Sequence, residues 1–206
     1  MKTIIRYIQA ITCMIAANAF AADIPKTKVL DNLNAIDPRT LQFREARAKI
    51  VNTQDSEHGK ALELVMDYRK PDISPAFFKT FLPRTIDPQK YVAIRYWVRS
   101  DSETQYNITL TGSIQRKDGK HIVFGANHPP TTATWTQVTI PFVEFRRGSE
   151  KSFKNGTQEV TPGVDDQPDA DDFENFVKLG FGSIIDWRGK STNGHLMFDR
   201  IELVEK

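Results

Sequence analysis

The sequence predicts an all-β protein built as an antiparallel β-sandwich. Segments with alternating polar and apolar residues recur along the chain, and turn-forming residues separate them. No long segment repeats its apolar residues every 3.6 positions, which argues against long amphipathic helices. The dipeptide Asp118-Gly119 between two such segments is typical of a tight hairpin. Together these observations favour a sandwich or barrel over a mixed fold.

The expected strands follow one another without a repeat. They are 28–33, 44–53, 61–68, 91–99, 105–115, 121–124, 138–142, 177–185 and 196–204. Four prolines between residues 70 and 90 argue against a central strand there, so Phe77, Phe78 and Phe81 are expected in a loop that folds onto the sandwich. Residues 148–172 are rich in Gly, Ser, Asn, Asp and Pro, and predict a long surface loop.

Residues 1–21 have the features of a signal peptide. Two basic residues precede an apolar run that is too short to span a bilayer, and Ala19-Phe20-Ala21 has the form of a signal-peptidase site. We therefore expect a single domain at 22–206, exported to the periplasm or the extracellular space, with no transmembrane segment. Cys13 lies within the run, and lipid anchoring through it is the weaker alternative.

Charge and composition narrow the function. Without residues 1–21 the chain has 26 basic and 26 acidic residues and no cysteine, and this balance argues against a nucleic-acid partner. The sequence contains no Gly-x-Ser-x-Gly or His-Glu-x-x-His motif and no recognisable pair of glycosidase carboxylates. Its four histidines lack metal-ligand spacing. A non-catalytic role is therefore favoured.

The segment 91–99 supplies the main candidate ligand site. Its alternation places Arg95, Trp97 and Arg99 on the face opposite Ile94 and Tyr96. An exposed indole can stack on a sugar ring, and guanidinium groups can donate paired hydrogen bonds to hydroxyls or carboxylates. The alternative is that a loop covers Trp97 and the arginines form salt bridges. The pattern alone leaves both open.

Other aromatic residues are weaker candidates. Trp187 and Arg188 lie in an expected loop before the last strand, where His195 follows, and loops carried on rigid scaffolds often bind ligands. Tyr68 and Tyr106 stand at strand ends. Trp135 opens the segment that continues to Ile140-Pro141-Phe142, and it is expected to pack between the sheets.

Several of these segments together resemble a known family. They are Gly59-Lys60-Ala61-Leu62-Glu63-Leu64, Ile94-Arg95-Tyr96-Trp97-Val98-Arg99-Ser100-Asp101, Trp135-Thr136-Gln137-Val138-Thr139-Ile140-Pro141-Phe142, Leu179-Gly180-Phe181 and Phe198-Asp199-Arg200-Ile201-Glu202-Leu203. In this order they resemble the galactose-binding-domain-like jelly rolls, especially the family 11 and related carbohydrate-binding modules, over residues 29–204.

The resemblance implies a jelly roll that holds sugars on a sheet face or at a loop edge, with a structural calcium. Asp199 matches the last-strand acid that often serves the calcium in that family, and Asp31 would be its partner. The expected function is non-catalytic binding of a polysaccharide or oligosaccharide, and Arg95, Arg99 and Arg188 would favour an acidic or sulfated glycan. The alternatives are a small jelly-roll polysaccharide lyase or glycoside hydrolase, and an envelope structural or adaptor protein with a protein partner.

Overall fold

A computed structural model describes residues 25–44, 46–67, 76–100, 106–115, 121–128, 132–147, 167–183 and 193–206. Twelve strands are present in this part of the chain: β1 (Thr27–Asp31), β2 (Leu41–Arg44), β3 (Ala46–Asn52), β4 (Lys60–Asp67), β5 (Ala76–Thr80), β6 (Tyr91–Ser100), β7 (Tyr106–Gln115), β8 (His121–His128), β9 (Thr136–Pro141), β10 (Arg146–Arg147), β11 (Phe176–Ser183) and β12 (Asn193–Glu205). A 3-10 turn, Phe142–Glu144, follows β9, and one helix, α1 (Ala170–Asn175), precedes β11.

The strands form two antiparallel sheets. The first sheet has the order β3-β4-β12-β6-β9, with β1 also paired to β12. The second sheet has the order β10-β8-β7-β11-β5-β2. Consecutive strands are often not neighbours: β12 at the end of the chain lies between β4 and β6. The predicted all-β antiparallel sandwich is confirmed.

Aromatic side chains from both sheets meet in the core. Phe77 and Phe181 of the second sheet stack with ring centroids 4.7 Å apart. Phe198 of the first sheet packs on Phe77 at 5.0 Å, and Tyr96 packs on Phe181 at 5.1 Å. All four are at most 1% exposed. Each such side chain stabilises the fold by roughly 1.5–3 kcal/mol through burial, and the four rings belong to a larger core of buried Leu, Ile and Phe residues from both sheets.

The expected loop around Phe77 and Phe78 is wrong in part. Residues 76–80 form β5, which pairs with β11 on one side and with β2 on the other. Pro75 and Pro83 lie outside these five residues, so they interrupt none of the strand's hydrogen bonds. Phe77 therefore enters the core, and Phe78 points to the opposite face of the second sheet.

Helix α1 begins at Ala170, so the loop predicted over residues 148–172 is wrong in its last three residues. The Asp169 side chain accepts a hydrogen bond from the Asp172 amide, and the Asp172 side chain accepts one from the Asp169 amide, at 2.9 and 3.1 Å. This reciprocal cap fixes the start of the helix. Among the described residues, no helix has the length and apolar character needed to cross a bilayer.

Candidate functional site

The outer face of the first sheet carries the three residues singled out in β6. Trp97 lies opposite Asp199 of β12 in the register, and Arg95 lies opposite Glu202. Partners in register point to the same side of a sheet, and Tyr96 and Val98 occupy the core side. Arg95, Trp97 and Arg99 therefore share the outer face, as predicted.

A histidine from a distant loop covers this face. The loop between β3 and β4 lies over the sheet. Within it, the Asp55 side chain accepts a hydrogen bond from the backbone amide of Glu57 at 2.8 Å. It places His58 against Trp97 edge-on at 4.9 Å and against Trp135 in a stack at 4.4 Å. The His58 side chain is 2% exposed, and its Nδ1 lies 2.9 Å from Asp199 Oδ2. We call His58, Trp97, Trp135 and Asp199 the His58 cluster.

The two arginines of β6 are engaged in the same face. Arg95 Nε donates to Glu202 Oε2 at 2.9 Å, and both side chains are about one-tenth exposed. Arg99 stacks its guanidinium 5.1 Å over the Trp135 ring and directs Nε toward the sulfur of Met197. Arg95 thus forms the salt bridge expected in one of the two alternatives, whereas Arg99 lies over an indole and Trp97 stays half-buried. The ligand role of these residues remains a prediction.

Trp135 lies on the outer face of the first sheet instead of between the sheets. Its ring stacks on His58, and its Nε1 is buried without a hydrogen-bond acceptor among the described residues. The following residues Ile140 and Phe142 do enter the core. The segment therefore supports the fold, with the indole on the opposite side of the sheet from the one the sequence suggested.

His195 belongs to a second polar group on this face. Its Nδ1 lies 2.9 Å from Glu63 Oε1, and Lys49 Nζ lies 2.7 Å from Glu63 Oε2. Burial raises the pKa of Glu63, but the hydrogen bonds from Lys49 and His195 outweigh it, so this pKa lies below its ordinary value. His195 is thereby oriented by a buried carboxylate.

Asp199 and Asp31 do not form a shared calcium site in the described structure. Asp199 is held by His58 on the outer face of the first sheet. Asp31 accepts from the Leu33 amide at 2.7 Å and pairs with Lys79 of the second sheet at 2.5 Å. Lys79 follows Phe77 on the inner face, so the two carboxylates lie on opposite sides of the first sheet. Calcium binding, which the resemblance implies, stays a prediction.

Four further residues were predicted to contact a ligand, and three of them lie outside the part of the chain that the structure describes. Tyr68, Trp187 and Arg188 lie outside the described residues. Tyr106 opens β7, where its backbone pairs with those of His128 and Ser183. The predictions for these four residues remain predictions.

A different aromatic residue lies on the outer face of the second sheet. Phe78 is half-buried there, with Arg44 and Lys178 placing their charged groups 5.5 and 5.4 Å from its ring centroid. A row of residues runs across the strands in register from Gly125 through Thr109 and Gly180 to Phe78 and Gln42. We call this surface, with Arg44 and Lys178, the Phe78 face.

The floor of the Phe78 face has little side-chain bulk. A Cβ at Gly180 would lie 2.5 Å from Thr109 Oγ1 and 2.8 Å from the Phe78 ring. Only a glycine therefore allows the Phe78 ring to lie against the strand beside it. The result is a flat strip, made of Gly125, Thr109 and Gly180, that ends at an aromatic ring.

Charge distinguishes the two sheets. None of the residues in the six strands of the second sheet is Asp or Glu. The strands of the first sheet carry Asp31, Glu63, Asp67, Asp199, Glu202 and Glu205. Lys178 has no carboxylate partner within the described part of the chain. The strands of the Phe78 face thus contribute positive charge only.

Sequence reasoning missed this face because it placed Phe78 in a loop. The available signal was the adjacency of Phe77 and Phe78 between Pro75 and Pro83. Two neighbouring aromatic residues in a short strand point to opposite faces, so one of them must leave the core.

The fold is similar to that of solved carbohydrate-binding modules. One is the family 11 module of the cellulosomal cellulase Lic26A-Cel5E of Clostridium thermocellum, with 16% identity, a TM-score of 0.61, and coverage of 88% of this chain and 96% of that one. A family 11 module of the same organism in complex with a β-1,3-1,4-mixed-linked tetrasaccharide has 15% identity, a TM-score of 0.60, and coverage of 86% and 95%.

A third similar structure is an exo-β-agarase, with 15% identity and a TM-score of 0.58. The match covers 86% of this chain but 24% of the agarase chain. No protein-family model and no curated protein sequence matches this chain. At these identities the comparisons establish the jelly-roll fold of the carbohydrate-binding modules, which the sequence motifs had indicated.

Proposed function

We propose that this chain is an exported, non-catalytic carbohydrate-binding protein whose Phe78 face holds an acidic or sulfated polysaccharide. The observation that carries the proposal is an aromatic ring with two basic side chains close to it, on a sheet whose strands contain no Asp or Glu. The ring is that of Phe78, and Arg44 and Lys178 lie beside it. The fold shared with carbohydrate-binding modules supports the same class of ligand.

The chemistry of an acidic glycan fits this arrangement. A pyranose ring can lay its C–H face on the Phe78 ring, while its carboxylate or sulfate accepts hydrogen bonds from Lys178 or Arg44. Thr109 adds a hydroxyl beside the ring, and Gly180 leaves the strip open for a flat chain. Neutral sugars would retain the stacking but lose the charge-assisted contacts.

The first sheet offers a poorer ligand surface. Its aromatic ring at Trp97 contacts the nearly fully buried His58, and Arg95 is paired with Glu202. Trp97 is half-buried, so a ligand that leaves His58 in place would reach only part of the indole. The binding site predicted at Arg95, Trp97 and Arg99 therefore becomes the competing location that the experiment must separate from the Phe78 face.

Affinity electrophoresis tests the proposal with a polyuronate, a sulfated galactan and a neutral mixed-linked β-glucan. We expect retardation by at least one of the two acidic polymers and weaker retardation by the neutral one. Phe78→Ala should weaken binding at least tenfold, about 1.4 kcal/mol. Lys178→Gln should weaken it several-fold and reduce its sensitivity to salt.

Lys60→Gln is the matched control, because Lys60 is an exposed lysine at the start of β4 in the first sheet. It should bind like the parent protein. Retardation that survives Phe78→Ala but is lost in Trp97→Ala, with both variants folded, would move the site to the first sheet. No retardation by any polymer, with and without calcium, would overturn the proposal.

The alternatives give different readouts in the same samples. A lyase would release unsaturated products that absorb in the ultraviolet from the polyuronate, whereas a binding protein leaves the polymer intact. An adaptor would recover a stoichiometric protein partner in a pull-down and show no retardation by glycans. Either result would replace the proposed function.

A further inference from the structure

A cavity of about 330 Å³ lies at one end of the sandwich, apart from the Phe78 ring. It is bounded by the loop that follows β5 and by helix α1. The residues that shape it are Arg84, Ile86, Asp87, Pro88, Gln89 and Glu174. This volume falls within the range of small-molecule sites in proteins.

The walls of the cavity are held in place by contacts within the chain. Arg84 adopts a left-handed backbone conformation with φ 63°, and its amide donates to the Glu174 carbonyl at 3.2 Å. Its guanidinium Nη2 donates to Glu174 Oε2 at 3.1 Å. In the loop, Asp87 Oδ1 accepts a hydrogen bond from the backbone amide of Gln89 at 2.8 Å. The Asp87 backbone carbonyl accepts one from the backbone amide of Tyr91, also at 2.8 Å.

The floor is also fixed. Ile86 is 1% exposed and belongs to the hydrophobic core, so it anchors the loop from below. Pro88 restricts the backbone on the other side of Asp87. The backbone around the cavity is therefore held without a ligand, which reduces the ordering cost of binding, whereas the Arg84 and Glu174 side chains are 75% and 58% exposed.

The lining combines groups that suit a hydroxyl-rich molecule. The carboxylates of Asp87 and Glu174 accept hydrogen bonds, the Arg84 guanidinium donates them, and the side-chain amide of Gln89 does both. Vicinal hydroxyls of a sugar donate and accept at adjacent positions, and the half-buried Pro88 offers an apolar surface to the sugar's C–H groups. The two carboxylates outnumber the single guanidinium, which disfavours an anionic ligand.

We propose that this end cavity is a second ligand site, which takes a single neutral sugar residue or a comparable polyol. It differs from the Phe78 face in the sign of its charge and in its shape, which is a half-open groove between a loop and a helix. The inference does not depend on the proposed function of the Phe78 face, because the two sites share none of the residues that define them.

Two-dimensional amide NMR of the purified protein tests the inference. The probes are D-glucose, D-galactose and D-mannose, each compared with its uronic acid. We expect saturable shifts at residues 84–90 and 170–175 with at least one neutral sugar, at millimolar affinity, and severalfold weaker binding of the matching uronate. Gln89→Ala should weaken the sugar severalfold without loss of fold, since only its exposed side chain is removed.

Phe78→Ala serves as the control that separates the two sites. It should leave the sugar titration at residues 84–90 unchanged even though it weakens polysaccharide retardation. No saturable shift at these residues with any neutral sugar would overturn the inference. Uronates that bind as tightly as the neutral sugars, or a titration that Phe78→Ala abolishes, would overturn it as well.

Discussion

Replacing His58 with alanine should destabilise the fold strongly, although His58 lies in a loop. The substitution leaves the Asp199 carboxylate, whose side chain is 10% exposed, without the ring nitrogen 2.9 Å away. Leaving a buried carboxylate without its hydrogen-bond donor costs about 3 kcal/mol. The lost ring contacts with Trp97 and Trp135 add about 1 kcal/mol.

The expected loss is therefore about 4 kcal/mol in the free energy of unfolding. For a domain of this size it corresponds to a fall of about 8–16 °C in the melting temperature. Equilibrium urea denaturation at neutral pH, followed by tryptophan fluorescence and circular dichroism, measures it. Both probes should give the same midpoint if unfolding is two-state.

Two further variants separate the electrostatic cause from the loss of packing. Asp199→Asn in the His58→Ala background should recover part of the stability, because it removes the uncompensated charge. Arg39→Ala, which breaks an exposed ion pair with Asp37, should leave the melting temperature unchanged. A His58→Ala protein within about 1 kcal/mol of the parent would refute the assigned role of the His58 cluster.

Three other predictions concern stability. Gly180→Ala should lower the free energy of unfolding, measured by urea denaturation, by about 1–3 kcal/mol, because its Cβ would collide with Thr109 Oγ1 and the Phe78 ring. Adding Thr109→Ala should recover part of this loss. An unchanged urea midpoint in the single variant would contradict the close approach of the Phe78 ring to Gly180. Glu63→Gln should reduce the fall in the free energy of unfolding that occurs as the pH is lowered. The lowered pKa of Glu63 means that its stabilisation is present above the ordinary glutamate value of 4.5 and is lost as the pH falls through the folded-state pKa; an identical fall in the variant would show that Lys49 and His195 do not act on this carboxylate. Chelation with EDTA tests the structural calcium that the resemblance implies: EDTA should lower the melting temperature and added calcium should restore it. An unchanged melting temperature would contradict that implication, in agreement with the hydrogen bonds that Asp199 and Asp31 already accept from groups of this chain.

The strands of the first sheet were the most predictable part of the fold. In β6 the alternation correctly separated Ile94 and Tyr96 from Arg95 and Trp97. This succeeds because the side-chain direction in a strand depends only on the parity of the position. The prediction failed at β5, a five-residue strand that contains no proline but has prolines on both sides. Counting prolines over residues 70–90 therefore hid the short strand between them.

The candidate site was less predictable because its neighbours come from distant parts of the chain. His58 and Asp199 are 141 residues apart in sequence, and nothing local to Trp97 indicates that an imidazole covers it. Likewise, the Phe78 face joins β2, β5, β7, β8 and β11, whose order in the sheet does not follow their order in the chain.

The sequence by itself determined that this protein is an antiparallel β-sandwich and which residues of β6 share a face, since both depend on local periodicity. Only the tertiary structure decided which side chains share each outer face. Strand pairing placed the carboxylates on the first sheet, and the β3–β4 loop covered Trp97 with His58. Strand pairing and the position of the β3–β4 loop depend on contacts between side chains that are far apart in the chain. A local sequence pattern does not specify such contacts.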